Sequence, residues 1–274
     1  MPPDFPIPAS PGASRLLGPC DPEPVGVVDP DSRSRFFVIC DHAGNAVPAS
    51  LGDLGLPRSE LDRHIGIDIG ALAVAQGLAS RLGASLVYQR YSRLVVDCNR
   101  RPEVTDSMAA VSDGTGVPGN QALSAADRTA RIEAILTPYH RTVGTLLDRR
   151  AAQGLTTLLV SVHSFTPILR TRPAERPWHM GLCWGHTDVF SRAILTALAH
   201  EAGLVVGENQ PYCVEMEKDY SIPVHGEERG LPYVEFEIRQ DLLATTEAAE
   251  VWADRLARVL TAAAEQFMPN RRDA

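Results

Sequence analysis

The stretch Thr156-Thr157-Leu158-Leu159-Val160-Ser161-Val162 is the clearest candidate for a buried strand in this chain. Its run of aliphatic and β-branched residues is typical of a strand that is covered on both faces. Short apolar runs of the same kind recur on either side of it, at residues 35–40, 85–88, 94–97, 179–184, 204–206 and 233–238. Because helical segments separate most of these runs, the sequence predicts an α/β domain with a mostly parallel sheet and helices on both faces.

Helices are predicted from capping residues, glycine and proline. Ser59-Glu60-Leu61-Asp62 resembles a capping box and Gly83 fits a helix end, which predicts a helix between them. A second helix is predicted to start at Ser124, and Pro138 should kink or divide it. The remaining predicted helices cover residues 187–202 and about 246–267.

The distribution of prolines and loops predicts the domain organisation. Residues 1–34 hold nine of the 21 prolines and few aromatic residues, so they are predicted as a tail that cannot offset its ordering entropy by burial. The remaining residues, 35–274, fit a single α/β domain. Residues 101–123 and the basic stretch 170–178 are predicted as long loops, and loops of that length are usually functional or mobile.

Charge and composition exclude several classes of partner. The net charge of −8 gives the chain no general attraction for nucleic acid or for anionic lipid. No apolar run reaches the roughly 18 residues of a membrane-spanning helix, and the N-terminus lacks a secretory pattern. Five cysteines without a C-x-x-C pair indicate reduced thiols in a cytoplasmic protein. We therefore expect a small-molecule ligand, and the oligomeric state stays open.

Polar side chains lie at the ends of several predicted strands, where open α/β sheets usually bind their ligands. His42 and His163 each follow a buried strand. Asn99 and Arg100 follow a third strand, and Glu237 lies at the end of a fourth. Neutral imidazoles and carboxylates suit zinc, and three protein ligands leave one position for a water whose pKa falls to about 7. A metal hydrolase site is one interpretation of this pattern.

A third ligand is needed, and Asp68 is the candidate. It is predicted on the helix after His42, where a buried carboxylate needs a partner such as a metal. Asp62 is better explained as an acid that stabilises the start of the helix. Structural explanations stay open for the others: a histidine at a strand end is often only hydrogen-bonded, and Arg100 could form a surface ion pair. His225, in a predicted loop, could reach a substrate.

Two further observations bear on the class of enzyme. Glu235 and Glu237 alternate with apolar residues, so both point to one face, which an ordinary polar strand face would also explain. The sequence contains no G-x-S-x-G elbow, P-loop or G-x-G-x-x-G motif. Their absence weakens the serine hydrolase, ATPase and dinucleotide-binding interpretations.

Several motifs, in this order, resemble the N-formylglutamate amidohydrolase family over about residues 35–265. The motifs are Asp41-His42-Ala43-Gly44-Asn45-Ala46-Val47-Pro48, His64-x-x-x-Asp68-x-Gly70-Ala71, Tyr91-Ser92-Arg93-Leu94-Val95-Val96-Asp97-Cys98-Asn99-Arg100, His163-Ser164-Phe165, Gly207-Glu208-Asn209-Gln210-Pro211-Tyr212 and Gly230-Leu231-Pro232 through Glu237-Ile238-Arg239-Gln240-Asp241-Leu242. The family resembles zinc carboxypeptidases in fold. The resemblance therefore implies a three-layer αβα sandwich with a mostly parallel mixed sheet, phosphorylase/hydrolase-like.

The resemblance also implies a metal centre and a general base. Zn²⁺, or another divalent transition metal, would be held by His42, Asp68 and His163. Phe236-Glu237-Ile238-Arg239 resembles the carboxypeptidase strand whose glutamate is the general base, which gives that role to Glu237. Carboxypeptidases use His-x-x-Glu, however, and here Asn45 stands at that spacing. An amide is a poor zinc ligand, so Asp68 is our choice, with Asp62 and Asn45 as the alternatives.

Substrate-binding roles follow from the same comparison. Asn99-Arg100 resembles the Asn-Arg pair that grips the substrate carboxylate in carboxypeptidases, and Arg93 and Arg239 would serve a second carboxylate. The expected reaction is cleavage of the amide of an N-acyl amino acid, by resemblance N-formyl-L-glutamate to formate and L-glutamate, a step of amino-acid degradation. The alternatives are a zinc hydrolase of another acylated amino acid or peptide end, and a metal-free binding protein on the same fold.

Overall fold

A seven-stranded sheet forms the centre of the molecule. The computed structural model describes residues 16–199 and 201–267. The strands are β1 (Val25–Val28), β2 (Phe36–Cys40), β3 (Ser85–Gln89), β4 (Val111–Ser112), β5 (Thr115–Gly116), β6 (Leu158–Phe165), β7 (Met180–Cys183), β8 (Val206–Glu208) and β9 (Tyr233–Arg239). β4 and β5 form a separate hairpin, and the others form the sheet in the order β1-β3-β2-β6-β9-β7-β8.

The sheet is mixed and mostly parallel, as the sequence predicts. β3, β2, β6 and β9 run parallel at its centre. β1 is antiparallel to β3, and β7 is antiparallel to β9 while it runs parallel to β8. Every residue of β2 and β6 is buried, which agrees with their continuous apolar sequences.

Helices cover both faces of this sheet. They are α1 (Arg58–Leu61), α2 (Ala71–Leu82), α3 (Ala125–Arg131), α4 (Thr137–Ala152), α5 (Val189–Leu198) and α6 (Thr246–Phe267). α6 packs against both α2 and α5, and α4 packs against β1 and β3. A π-helical turn at Ile132–Leu136 separates α3 from α4, so the predicted division beside Pro138 is present.

Two predicted elements are wrong. The helix expected between Ser59 and Gly83 is two helices, because Gly70 adopts a φ of 80° and the chain between α1 and α2 is irregular. The strand expected at residues 94–97 is a buried turn. One local and one tertiary hydrogen bond hold it: Val95 N donates to Ser92 O at 2.9 Å, and the Ser92 hydroxyl donates to Gly66 O at 2.8 Å.

The start of the chain is more ordered than its proline content suggests. Residues 1–34 were predicted as a tail, but β1 lies within them and pairs with β3 along the sheet edge. A proline directly before a strand is compatible with an edge position, because an edge strand leaves one row of N–H groups unpaired. Residues 1–15 of the predicted tail lie outside the described residues.

Two expectations from composition can be compared with the structure. None of the helices in the described residues combines the length and the apolar character that crossing a bilayer requires. All five cysteines are free, and Cys40, Cys98 and Cys183 are buried. Burial raises the pKa of the Cys98 and Cys183 thiols well above the ordinary value, so both behave as apolar core groups.

The turn after β2 requires glycine at position 44. A Cβ built on Gly44 would lie 2.1 Å from the carbonyl oxygen of Arg90, and that oxygen accepts a hydrogen bond from Ala46 N at 3.2 Å. We expect Gly44→Ala to lower the free energy of unfolding by about 1–3 kcal/mol in urea denaturation, because rigid backbone must move. Gly116→Ala is the matched control, since its Cβ would meet nothing within 4 Å. Equal stability of the two variants would contradict this account.

Candidate active site

The site lies where β2, β6 and β9 end side by side. A cavity of about 680 Å³ opens there, and we call it the site cavity. Residues from these strands, from the turn around Arg93 and from two long loops line it. The polar residues among them include His42, His64, Arg93, Asp97, Asn99, Arg100, Asp113, His163, Arg172, Tyr212, Asp219, Glu235 and Glu237.

At the floor of the cavity, two histidines meet one carboxylate. His163 Nδ1 lies 2.9 Å and His42 Nδ1 lies 3.3 Å from Asp68 Oδ2. The three side chains are 2–3% exposed, and each offers a ligand atom within 4.8 Å of the others. We call them the His–Asp–His cluster. The structure therefore brings Asp68, rather than the two alternatives, to the predicted histidines.

The backbone fixes this convergence. His42 is the second residue after β2, and His163 lies on the neighbouring β6. Asp68 lies in the irregular segment before α2, not on a helix as predicted, and its backbone N donates to His42 O at 3.1 Å. Ser164 N also donates to Asp68 Oδ2, at 3.3 Å. An irregular segment allows this carboxylate to point at the strand ends.

The outer nitrogens of both imidazoles have their own partners. His42 Nε2 lies 2.7 Å from Asp97 Oδ1. His163 Nε2 lies 3.0 Å from Ser161 Oγ and 3.3 Å from Asp41 Oδ2. A carboxylate that accepts the Nε2 proton leaves the Nδ1 lone pair directed at the cluster. Metal-binding histidines are usually oriented in this way.

The donor set fits a divalent transition metal. Two imidazoles and one carboxylate, all buried and converging, are the ligands that zinc prefers. Burial alone would lower the pKa of His163, but hydrogen bonds to Asp41 and Asp68 raise it well above the ordinary value. A proton and a metal ion thus compete for the same Nδ1 atom, and binding of a metal would release protons.

The carboxylates of the site divide into two groups by pKa. Burial opposes ionisation of Asp97, yet the Arg93 guanidinium and His42 hold its pKa well below the ordinary value. Against the same burial, His163 lowers the pKa of Asp41 to about 2. Burial raises the pKa of Glu237 to about 8, and the charges of Asp68 and Glu235 add to that shift. The acids with cationic partners are therefore ionised, and Glu237 titrates near neutrality.

Glu237 and Glu235 lie beside the cluster because of strand register. β9 pairs with β6 so that Glu237 is opposite His163 and Glu235 is opposite Ser161. Both side chains line the site cavity, and the Oε2 atom of each is buried without a hydrogen-bond partner in the described residues. A buried carboxylate oxygen without a partner is costly, so it usually has a function or an unseen partner.

Asn99, Arg100 and Arg93 also line the cavity, and each is partly engaged within the protein. Asn99 Oδ1 accepts a hydrogen bond from Ser221 N at 3.0 Å. Arg100 forms an ion pair with Asp219 and lies 3.4 Å from Asp106. These contacts place the predicted carboxylate-binding pair at the cavity.

Arg93 connects the predicted substrate-binding residues to the cluster. Its Nη2 lies 2.7 Å from Asp97 Oδ2, and its Nη1 lies 3.6 Å from Asp68 Oδ1. The guanidinium therefore neutralises two buried carboxylates as well as facing the cavity, with 29% of its side chain exposed.

Four other predicted positions do not reach the cavity. His225 was expected in a loop from which it could reach a substrate, but it is buried in a π-helical turn, where its Nε2 lies 3.0 Å from His140 Nδ1. The Arg239 guanidinium is held by Asp241 at 2.8 Å and by backbone carbonyls of residues 176–178. Asn45 donates to Asp62 at 2.7 Å, so these two alternative ligands bind each other instead of the histidines.

Two acids that orient the cluster, Asp41 and Asp97, were not predicted as site residues. Asp41 directly precedes His42, and its Oδ1 accepts from Tyr139 OH at 2.6 Å and Ser221 Oγ at 2.8 Å. Asp97 begins the Asp-x-Asn-Arg motif. Proximity to a candidate ligand was the available signal for Asp41, whereas only the fold shows that Asp97 meets His42.

Comparisons with known proteins show the family and the fold of the chain. A family model described as N-formylglutamate amidohydrolase matches residues 34–244. Gene product Atu2144 from Agrobacterium tumefaciens is similar in structure, with 34% identity, a TM-score of 0.88 and coverage of 92% of this chain and 99% of that one. N-formylglutamate amidohydrolase from Ralstonia eutropha JMP134 has 18% identity, a TM-score of 0.56 and coverage of 87% and 98%, which shows a shared fold. No curated protein matches the sequence.

The contact between Asp97 and His42 makes a prediction about metal affinity. We expect Asp97→Asn to weaken Zn²⁺ binding by about 10- to 100-fold, because the amide no longer fixes the imidazole orientation and basicity. Competition with a chromophoric chelator measures this affinity. Asp106→Asn is the control, since Asp106 lines the same cavity but contacts Arg100 rather than a histidine. An unchanged affinity in Asp97→Asn would show that this contact does not orient His42.

Proposed function

Because the chain belongs to the N-formylglutamate amidohydrolase family, we propose that it is a metal-dependent enzyme that cleaves N-formyl-L-glutamate to formate and L-glutamate. Hydrolysis of an amide bond is the activity of this family, and the chain is a hydrolase of that class. The observation that carries the metal-dependent mechanism is the buried His–Asp–His cluster beside a glutamate that has an unpartnered oxygen.

His42, Asp68 and His163 would hold the metal. Zn²⁺ bound by such ligands supplies Lewis-acid polarisation of the amide carbonyl and lowers the pKa of water. Asp97 and Asp41 keep the two imidazoles in the orientation that the cluster needs. Arg93 balances the negative charge of Asp68 and Asp97, which limits the cost of burying both acids.

Glu237 is the proposed general base. Its Oε2 atom accepts a proton from the attacking water and later delivers that proton to the leaving nitrogen of the amino acid. Its pKa of about 8 reflects burial beside other carboxylates, and a divalent cation in the cluster would favour its ionised form. A base whose pKa lies near neutrality suits both transfers, because it can accept and donate the same proton.

Asn99 and Arg100 are proposed to bind one substrate carboxylate at the cavity wall. The Asn99 amide oxygen accepts hydrogen bonds from backbone N–H groups. Its amide nitrogen makes no hydrogen bond with the described residues and can donate to a ligand. The Arg100 side chain is 23% exposed, so part of its guanidinium remains available to a ligand. A charged donor and a neutral donor on adjacent residues match the two oxygens of a carboxylate.

A second candidate is hydrolysis of another acylated amino acid or of a peptide end. The cavity volume of about 680 Å³ supports it, because sites of roughly 300–1,000 Å³ accept ligands of drug size. The metal-free alternative depended on Asn45 as the missing acidic ligand, and Asp68 stands beside the histidines instead. A panel of N-acyl amino acids separates the two substrate proposals.

Removal of the metal tests the mechanism directly. We expect the purified enzyme to release formate from N-formyl-L-glutamate, to lose most of this activity after dialysis against a chelator, and to recover it when Zn²⁺ is added. Formate is measured with a coupled dehydrogenase assay. Full activity in a sample shown to be metal-free would refute metal dependence. No affinity for added Zn²⁺, together with retained binding of the substrate, would support the binding-protein alternative.

Substitution of the proposed base is a separate test. Glu237→Gln should lower kcat by about 10²- to 10⁴-fold, because glutamine keeps the shape but cannot carry the proton. Glu250→Gln is the control, since Glu250 lies on α6 and pairs with Arg81. Unchanged zinc content would show that the loss is not a loss of metal. A fall in kcat of less than roughly tenfold would argue against the base role.

A further inference from the structure

Two long loops meet at the rim of the site cavity through one aspartate. Asp113, in the turn of the β4–β5 hairpin, accepts hydrogen bonds from the backbone N–H groups of Arg170 at 3.1 Å and Thr171 at 3.0 Å. The Thr171 hydroxyl donates to the same carboxylate at 3.0 Å. We call residues 166–178 the rim loop. A single side chain thus fixes the middle of the rim loop against the hairpin.

Burial and two cationic neighbours hold the Asp113 side chain in place. Its side chain is 4% exposed, and Arg63 Nη2 lies 2.8 Å from its Oδ2 atom. His64 Nε2 lies 3.3 Å from the same oxygen. Burial alone would raise the pKa of Asp113, but the hydrogen bonds from the rim loop lower it, so the carboxylate is ionised near neutrality. The position of the next loop residue, Arg172, is therefore set by a buried ion pair and hydrogen bonds.

Arg172 differs from the other arginines of the cavity. Three arginines line it, and Arg93 and Arg100 both have acidic partners within the protein. Arg172 has neither an ion pair nor a hydrogen bond among residues 16–199 and 201–267. Arg239, which the sequence suggested for a second carboxylate, is bound to Asp241 and does not line the cavity. Arg172 is thus the cavity arginine whose charge the described part of the chain does not balance.

The charges at the cavity floor indicate why an arginine at the rim would matter for the substrate. The floor holds Asp97, Glu235 and Glu237, with Asp68 buried beside them. Arg93, the arginine next to these acids, already pairs with Asp68 and Asp97, so it is not free to bind a second substrate carboxylate. A substrate with two carboxylates can place one against Asn99 and Arg100, and its other carboxylate then needs a cation away from the floor. The rim offers one such cation.

We propose that Arg172 is a specificity-determining residue that binds the side-chain carboxylate of an N-acyl dicarboxylic amino acid, with Asp113 as the positioning residue that holds it there. This role rests on the proposed function, and it identifies Arg172 as the residue that selects the substrate class. Arg172 is exposed at the cavity mouth, so its contribution is that of a screened ionic hydrogen bond rather than of a buried pair. Its effect appears as selectivity between charged and neutral side chains.

The test compares N-formyl-L-glutamate with N-formyl-L-glutamine, which has nearly the same shape but no side-chain charge. Arg172→Gln should lower kcat/KM for the glutamate substrate by roughly tenfold, mainly through KM, and leave the glutamine substrate nearly unchanged. Arg172→Lys should keep part of the preference, because the charge remains. Asp113→Asn should reduce the preference in the same direction, since the rim loop loses its ionic anchor.

Arg192→Gln is the control, because Arg192 is an exposed arginine of α5 that pairs with Asp188 and Glu208 away from the cavity. Its ratio of the two kcat/KM values should equal that of the wild type. An unchanged ratio in Arg172→Gln, or an equal loss on both substrates, would overturn the role of Arg172 while the proposed function stands. A wild-type enzyme that cleaves neither substrate would overturn the proposed function and this proposal together.

Discussion

Burial of three aspartates and two histidines at one edge of the sheet is the constraint on which the site depends. Asp41, Asp68 and Asp97 are fully enclosed, and an enclosed carboxylate needs a partner of opposite charge or several hydrogen-bond donors. His42, His163 and Arg93 supply those partners. Because each member contacts at least one other, removal of one leaves a charge without its partner in a region of low dielectric. The network therefore keeps its geometry before any ligand arrives.

The same burial has an opposite effect on the two glutamates of β9, and this difference divides the chemistry of the site. Burial raises the pKa of Glu235 and Glu237, and the opposing attraction of His163 does not offset it. Acids that stay ionised can orient ligands, whereas an acid that titrates near neutrality can transfer a proton. Strand register contributes to this division, since it places Glu237 opposite His163 at the cavity.

Much of this arrangement could be predicted from the sequence, and the failures have a physical cause. Apolar runs identified β2, β6 and β9, because these strands bury continuous surface, and the helix predicted over about residues 246–267 matches α6. The turn at residues 94–97 is equally apolar, but tertiary hydrogen bonds such as that from Ser92 to Gly66 override its strand pattern. His225 is likewise hidden by packing against His140, a contact 85 residues away that no local pattern reports.

The proposed reaction and the proposed substrate recognition depend on different parts of the fold, the buried strand ends and the rim loop. The His–Asp–His cluster and Glu237 lie on or beside buried strands, so a change at any of them disturbs both the core and the charge network. Asp113 anchors the rim loop through backbone N–H groups, and the side chains of Arg170 and Arg176 add contacts to Glu60 and Tyr212. None of these contacts uses the Arg172 side chain. Substitutions in the loop can thus change the charge that a substrate meets while the floor remains intact. In such a fold, residues of the rim loop determine which substrate binds, and residues at the strand ends determine which reaction occurs.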